Sequence, residues 1–216
     1  MADLGSVKTL RLARKPLSLT ELAAKRAFDI VVAILAILAL SPLLVTVALA
    51  IKLDSRGNIL FRQLRHGYNN KLIRIYKFRS MAAAKDCDTG FTSTKENDGR
   101  VTIIGRILRR TNIDELPQLF NVLTGEMSIV GPRPHATNHN ELFEAQILPF
   151  ARRHNVKPGI TGWAQVNGYR GPADTLDVMQ RRVEFDLYYI DNWSFFFDLK
   201  IILMTLFSKK AYVNAF

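Results

Sequence analysis

The chain has almost no cysteine. One residue of 216, Cys87, carries a thiol, which excludes an internal disulfide framework and fits a reducing compartment. Acidic groups are scarce as well: 19 Asp and Glu face 30 Lys and Arg, a formal charge of +11. Partners should therefore carry negative charge, as phosphate, nucleic acid or anionic lipid. The chain has no internal repeat, and no helix-turn-helix, zinc or aromatic RNA-binding signature supports the nucleic-acid branch of that choice. The length suits one domain with short appendages.

What the sequence does have is one long apolar run. Within residues 30–51 only Ser41, Pro42 and Thr46 are not apolar, which is the length of a bilayer-spanning helix. The run is too long for the core of a signal peptide, and no small-residue cleavage site closes it before Lys52 and Asp54. Hydropathy by itself gives a single-pass anchor, but two features point elsewhere. Pro42 removes a backbone hydrogen bond near the middle and crowds the carbonyl of Leu38. Six Lys or Arg lie within residues 8–27 and five (Lys52, Arg56, Arg62, Arg65, Lys71) within 52–71, so a straight span breaks the positive-inside rule at one end. A hairpin obeys it at both. The residues alone leave span and hairpin open.

After the run, residues 59–64 and 72–78 read as strands about a turn at Gly67-Tyr68-Asn69-Asn70. Residues 82–100 form a long polar loop, and 101–110 and 114–123 two short helices around Thr111-Asn112. A helical stretch over 138–153, a Gly-rich loop over 158–171 and an aromatic tail follow. The tail's apolar run 198–207 is too short to span a bilayer but suited to its interface.

One constellation suggests chemistry. Asp114 and Glu115 are expected to open a helix, where carboxylates are ordinarily favoured by the dipole and by capping. Around them stand Arg109 and Arg110, Arg133 in a rigid Pro-Arg-Pro turn, and Lys77 and Arg79 on one strand face by alternation. Such cations could hold a diphosphate, one carboxylate aiming at phosphorus while its neighbour holds a divalent cation. The plainer alternative is a solvated or headgroup-binding surface. His135 and His139, four apart, could bind a metal, but no third ligand is evident.

Four stretches then carry a resemblance: Arg79-Ser80-Met81, 104–119 (IGRILRRTNIDELPQL), 127–134 (MSIVGPRP) and 157–168 (KPGITGWAQVNG). From about Lys25 onward the chain resembles the bacterial sugar transferase family, the small monotopic polyprenyl-phosphate phosphoglycosyl transferases. The resemblance implies an α+β, mainly helical fold with a membrane-inserted helix-break-helix hairpin, broken at Ser41-Pro42, a small cytoplasmic catalytic domain and interfacial amphipathic helices. The expected division is a basic arm over 1–24, the hairpin over 25–54, the catalytic core over 55–185 and interfacial helices over 186–216.

It also implies that Asp114 attacks the sugar-bearing phosphate of a UDP-hexose, expelling UMP, and that undecaprenyl phosphate then takes the hexose 1-phosphate from the phospho-aspartate. Glu115 would hold Mg²⁺, and Lys77, Arg79, Arg109, Arg133 and Gln165 would bind substrate. The expected setting is the cytoplasmic face of the bacterial inner membrane, in exopolysaccharide synthesis, with membrane phospholipid and a second copy in a homodimer as further partners and nucleic acid as none. Some relatives carry extra spanning helices and another domain; this chain looks like the minimal type. Pro132-Arg133-Pro134-His135-Ala136 is similar to members using glucose or galactose donors.

Overall fold

The structure is a computed structural model that describes residues 2–4, 7–9, 17–82, 99–135, 143–171 and 175–208. Cys87, His139, Ala136, most of the expected loop over 82–100 and part of the basic arm lie outside them. Within the arm, β1 (Ala2–Leu4) and β2 (Val7–Thr9) pair antiparallel.

Ser18 starts the first helix with a capping box: Glu21 N donates to Ser18 Oγ at 3.3 Å, and Ser18 N to Glu21 Oε2 at 2.8 Å. Helix α1 (Leu19–Asp54) then runs for 36 residues, about 54 Å at 1.5 Å per residue. The break expected at Ser41-Pro42 does not occur, and the helix continues through Pro42. The physical reason is local. The Leu38 carbonyl, which Pro42 cannot satisfy, accepts the Ser41 hydroxyl at 2.8 Å, and the Pro42 carbonyl accepts Thr46 Oγ1 at 2.8 Å.

The remaining elements are β3 (Leu60–His66), β4 (Leu72–Phe78), α2 (Ile103–Thr111), α3 (Gln118–Thr124), β5 (Ser128–Val130), β6 (Gly159–Thr161), α4 (Trp163–Val166), α5 (Leu176–Asp191) and α6 (Phe195–Phe207). Strands β3 and β4 form the expected hairpin, registered from Leu60↔Phe78 to His66↔Leu72. Asn69 (φ 51°) and Asn70 (φ 60°) close its turn in the left-handed conformation that Asn tolerates. The stretch expected as one helix over 114–123 is divided: Ile113–Glu115 is a separate 3₁₀ turn, and α3 starts only after Pro117. In the described part of 138–153, Pro149 precedes a 3₁₀ helix, Phe150–Asn155. The Gly-rich loop holds β6 and α4; β6 pairs parallel with β5, a contact between residues 31 apart that no local pattern announces.

These pieces share one core. Ala33 of α1, Ile75 of β4, Val122 of α3, Val130 of β5, Tyr189 of α5 and Ile201 of α6 pack together. A second cluster joins Val47 and Ile51 of α1 to Phe78 and Leu108. One stripe of α1 is therefore covered along its length, while Leu35, Leu38, Val45 and Leu49 on its other side stay exposed. A helix this apolar with an open face needs lipid rather than water around it.

Polar ties bind both ends of α1 to the same body. At the first end, Lys25 pairs with Asp198 (2.6 Å) and donates to the Val130 carbonyl (3.2 Å). Arg26 caps the last carbonyls of α3, Val122 and Leu123, and Asp29 accepts from Ser128 Oγ and Ile129 N, both at 3.0 Å. At the other end, Arg79 donates to the carbonyls of Ile51, Ser55 and Arg56 and to Ser55 Oγ.

Asp198 also accepts from Tyr189 Oη (2.8 Å) and Trp193 Nε1 (3.1 Å) and is fully buried. Replacing it by Ala strands Lys25, an orphaned ion whose cost is typically about 3–5 kcal/mol. Thermal unfolding in detergent should thus drop steeply in Asp198→Ala. Glu184→Ala, which breaks the exposed Arg181–Glu184 pair, should shift it little.

Candidate active site

The acid pair owes its place to the end of α2. Asn112 caps that helix at φ 58°, a left-handed turn that redirects the chain into the 3₁₀ turn carrying Asp114 and Glu115. Upstream, a Cβ on Gly105 would lie 1.9 Å from the Ser80 carbonyl oxygen, so only glycine lets α2 approach the end of β4 this closely. That approach brings Arg109 Nε to 2.8 Å from Ser80 Oγ.

Glu115 points inward and is buried. Its Oε1 accepts from Lys77 Nζ (2.7 Å) and Arg133 Nη2 (2.6 Å), its Oε2 from Arg133 Nη1 (2.9 Å) and Arg170 Nη2 (2.8 Å). Burial would raise its pKa, but the charges of Arg133 and Lys77, the Arg133 hydrogen bonds and Arg170 outweigh it and hold Glu115 well below the usual carboxylate range. Arg65 stands close by, with its Nη2 on Gln63 Oε1 at 2.6 Å. Burial and the charge of Arg133 push it down to about 10, so it stays cationic at neutral pH.

Asp114 is the opposite case. It is half-buried and takes no hydrogen bond or ion pair among the described residues. Burial raises its pKa, Lys77 draws it back, the Glu115 charge raises it, and Arg133 and Arg109 lower it; the net shift is upward. Beside it the Nδ2 of Asn112 is a buried donor without a partner among the described residues. The site is thus one saturated carboxylate, one open carboxylate and a surplus of cations.

Of the expected residues, Lys77, Arg133, Asp114 and Glu115 come together, and Arg109 acts on Asp114 electrostatically from the last turn of α2. Arg79 does not join them: its guanidinium is turned to the end of α1, because one residue beyond β4 the alternation that would pair it with Lys77 no longer holds. Gln165 lies buried in α4, donating to the Ile160 carbonyl (3.0 Å); among the described residues its Oε1 is unpartnered, and it bonds neither acid. Each Glu115 oxygen already accepts two donors, and no group of three His, Cys, Asp or Glu among the described residues could hold a metal. Mg²⁺ needs oxygen lone pairs in near-octahedral array. Glu115, as arranged, does not fit the part of a resident Mg²⁺ ligand; the open oxygens are those of Asp114.

His135 is buried against Phe150, ring centroids 6.2 Å apart, with Nε2 unpartnered among the described residues. Burial and the neighbouring arginines, Arg153 first, hold it neutral, well below its ordinary pKa. The sequence reading missed Arg170 and Arg65. Their only signal was the general excess of basic residues, since Arg170 reaches Glu115 across 55 positions.

The sequence profile of the bacterial sugar transferase family matches residues 20–210. The chain is 52% identical over 214 residues, 99% of its own length and 46% of the relative's, to the UDP-glucose:undecaprenyl-phosphate glucose-1-phosphate transferase of Escherichia coli (strain K12). It is 50% identical over 193 residues to the exopolysaccharide production protein PSS of Rhizobium leguminosarum bv. phaseoli, covering 88% of this chain and 96% of that one. To the UDP-N-acetylgalactosamine-undecaprenyl-phosphate N-acetylgalactosaminephosphotransferase of Aeromonas hydrophila it is 44% identical over 183 residues, 84% of this chain and 42% of the relative. The chain spans about half the length of the glucose-type relatives from Escherichia coli and Klebsiella pneumoniae.

A raised folded-state pKa means that ionised Asp114 burdens the native state above that pKa, and that the burden fades as pH falls through it to the unfolded value. Asp114→Asn should accordingly melt higher than the parent at pH 7, by about 2–4 °C for each kcal/mol relieved, with the gap closing by about pH 4. Melting curves across pH in detergent check this; equal melting temperatures at pH 7 would contradict the electrostatic account.

Proposed function

The chain belongs to the bacterial sugar transferase family, and on that premise we propose that it transfers a hexose 1-phosphate from a UDP-sugar to undecaprenyl phosphate, initiating exopolysaccharide synthesis. UDP-glucose is the first donor to test, because the relatives from Escherichia coli and Klebsiella pneumoniae are named for it. The observation that carries this reading is the contrast between the acids: Glu115 is saturated by three cations, while Asp114, beside it, is open.

In the proposed first step an Asp114 carboxylate oxygen forms a bond to the sugar-bearing phosphorus. The bond from that phosphorus to the bridging oxygen breaks, and UMP leaves with the electron pair. In the second step an oxygen of undecaprenyl phosphate attacks the phospho-aspartate, and Asp114 departs as carboxylate. Lys77, Arg65, Arg109, Arg133 and Arg170 outnumber the two carboxylates, and this preset positive field stabilises charge on the transferring phosphoryl group. The expected dependence on Mg²⁺ is proposed to rest on an ion arriving with the diphosphate, since Glu115 has no lone pair to offer.

The exposed side of α1 is proposed to lie among the phospholipids of the inner membrane's cytoplasmic leaflet. Lys25, Arg26 and Asp29 at one end and Ile51 and Ser55 at the other are tied to the same body, which favours a re-entrant element bending at Pro42 over a straight span.

Asp114→Asn should release no UMP from any UDP-sugar and form no covalent adduct by mass spectrometry, because an amide is a poor nucleophile. Turnover by that variant near the parent rate would rule the mechanism out. For topology, single cysteines at positions 6 and 208, in a Cys87→Ser background, should resist an impermeant thiol reagent added to intact cells. Labelling of either from outside would establish a span in place of the re-entrant element.

A further inference from the structure

Helix α5 touches neither acid, yet it holds both arginine segments that close on Glu115. Asp186, on α5, is 1% exposed, and its Oδ2 accepts from Arg153 Nε at 2.8 Å. The other arm of Arg153 reaches the main-chain carbonyl of Arg133 (2.9 Å), the residue whose guanidinium grips Glu115 through both oxygens. One turn before Asp186, Arg182 donates to the carbonyl of Gly171, next to Arg170, the third cation on Glu115. Arg182 and Asp186 stand four apart on one helix face, within reach of each other's charge.

We propose that Asp186 is the positioning residue of the cation clamp on Glu115, ordering Arg153 and Arg182 so that they hold the main chain at Arg133 and at Gly171. The proposal deepens the transferase reading and rests on it. Stability alone is a poor explanation for this arrangement. A pair in which Arg153 and Asp186 are 2% and 1% exposed carries a desolvation penalty, and apolar replacements of such pairs are often neutral or stabilising. Its geometry is the reason to keep it: the Arg153 fork bridges a carboxylate and a carbonyl at once, which a compact ammonium on a lysine stem cannot do in the same place.

The test is a double-mutant cycle on the full chain in detergent, read as UMP release from a UDP-sugar that the parent accepts, with melting temperature recorded for every protein. Asp186→Asn should lower kcat/KM about tenfold in the parent background but less than about twofold in an Arg133→Lys background, where the forked grip on Glu115 is already lost. A purely structural role removes the same factor from both backgrounds, and that result would overturn the proposal. Arg153→Lys keeps a charge opposite Asp186 and loses the fork, so it should fold and repeat the pattern; it carries the cycle if Asp186→Asn does not fold. Asp191→Asn, at the half-exposed Arg152 pair, should match the parent. Failure of both test variants to fold would assign the trio to stability and end the proposal. Absence of UMP release by the parent with every donor would instead refute the transferase reading, and this inference with it.

Discussion

A single buried carboxylate organises this protein. Glu115 is out of water, and a charge there is tolerable only when its acceptor sites are filled. The fold fills them from three distant segments: Lys77 on β4, Arg133 in the turn after β5 and Arg170 after α4. Each of those segments must be in place before Glu115 is satisfied, so the ion cluster links the hairpin, the parallel β5–β6 pair and the α4 loop at one point.

The open state of the neighbouring carboxylate, Asp114, is a consequence. The donors that could have neutralised Asp114 are engaged by Glu115, and burial acts on Asp114 without a compensating hydrogen bond. What remains is a half-buried carboxylate with open oxygens in a field of excess positive charge, the combination on which the proposed phosphoryl transfer rests. The cation surplus seen in the composition is not spread evenly: Lys77, Arg65, Arg109, Arg133 and Arg170 all bear on this one place.

The long helix obeys a second constraint. Its apolar open side calls for lipid, and its two ends carry polar contacts that call for the body. Lys25 and Arg26, which in the sequence belong to a basic flank of a hydrophobic run, turn out to cap α3 and pair with Asp198 inside the molecule. The Ser41 hydroxyl settles a local conflict by accepting the role that the missing amide of Pro42 leaves vacant, which keeps α1 helical where the sequence suggested a break.

Much of this was legible in the residues themselves. The β3–β4 hairpin followed from alternation and its Asn-rich turn, the apolar stretch of α1 from hydropathy, Lys77 from strand alternation, and Asp114, Glu115 and Arg133 from dense motifs. Those features depend on neighbours in the chain, so a local pattern carries them. What the sequence could not divide was the labour among like residues. Arg79 and Arg133 are both arginines in strong motifs, yet one caps α1 and the other grips Glu115; Glu115 reads as an open carboxylate until three cations from far along the chain are brought onto it. Hydrogen-bond saturation, burial and the β5–β6 pairing depend on long-range packing, and only the tertiary structure decides them.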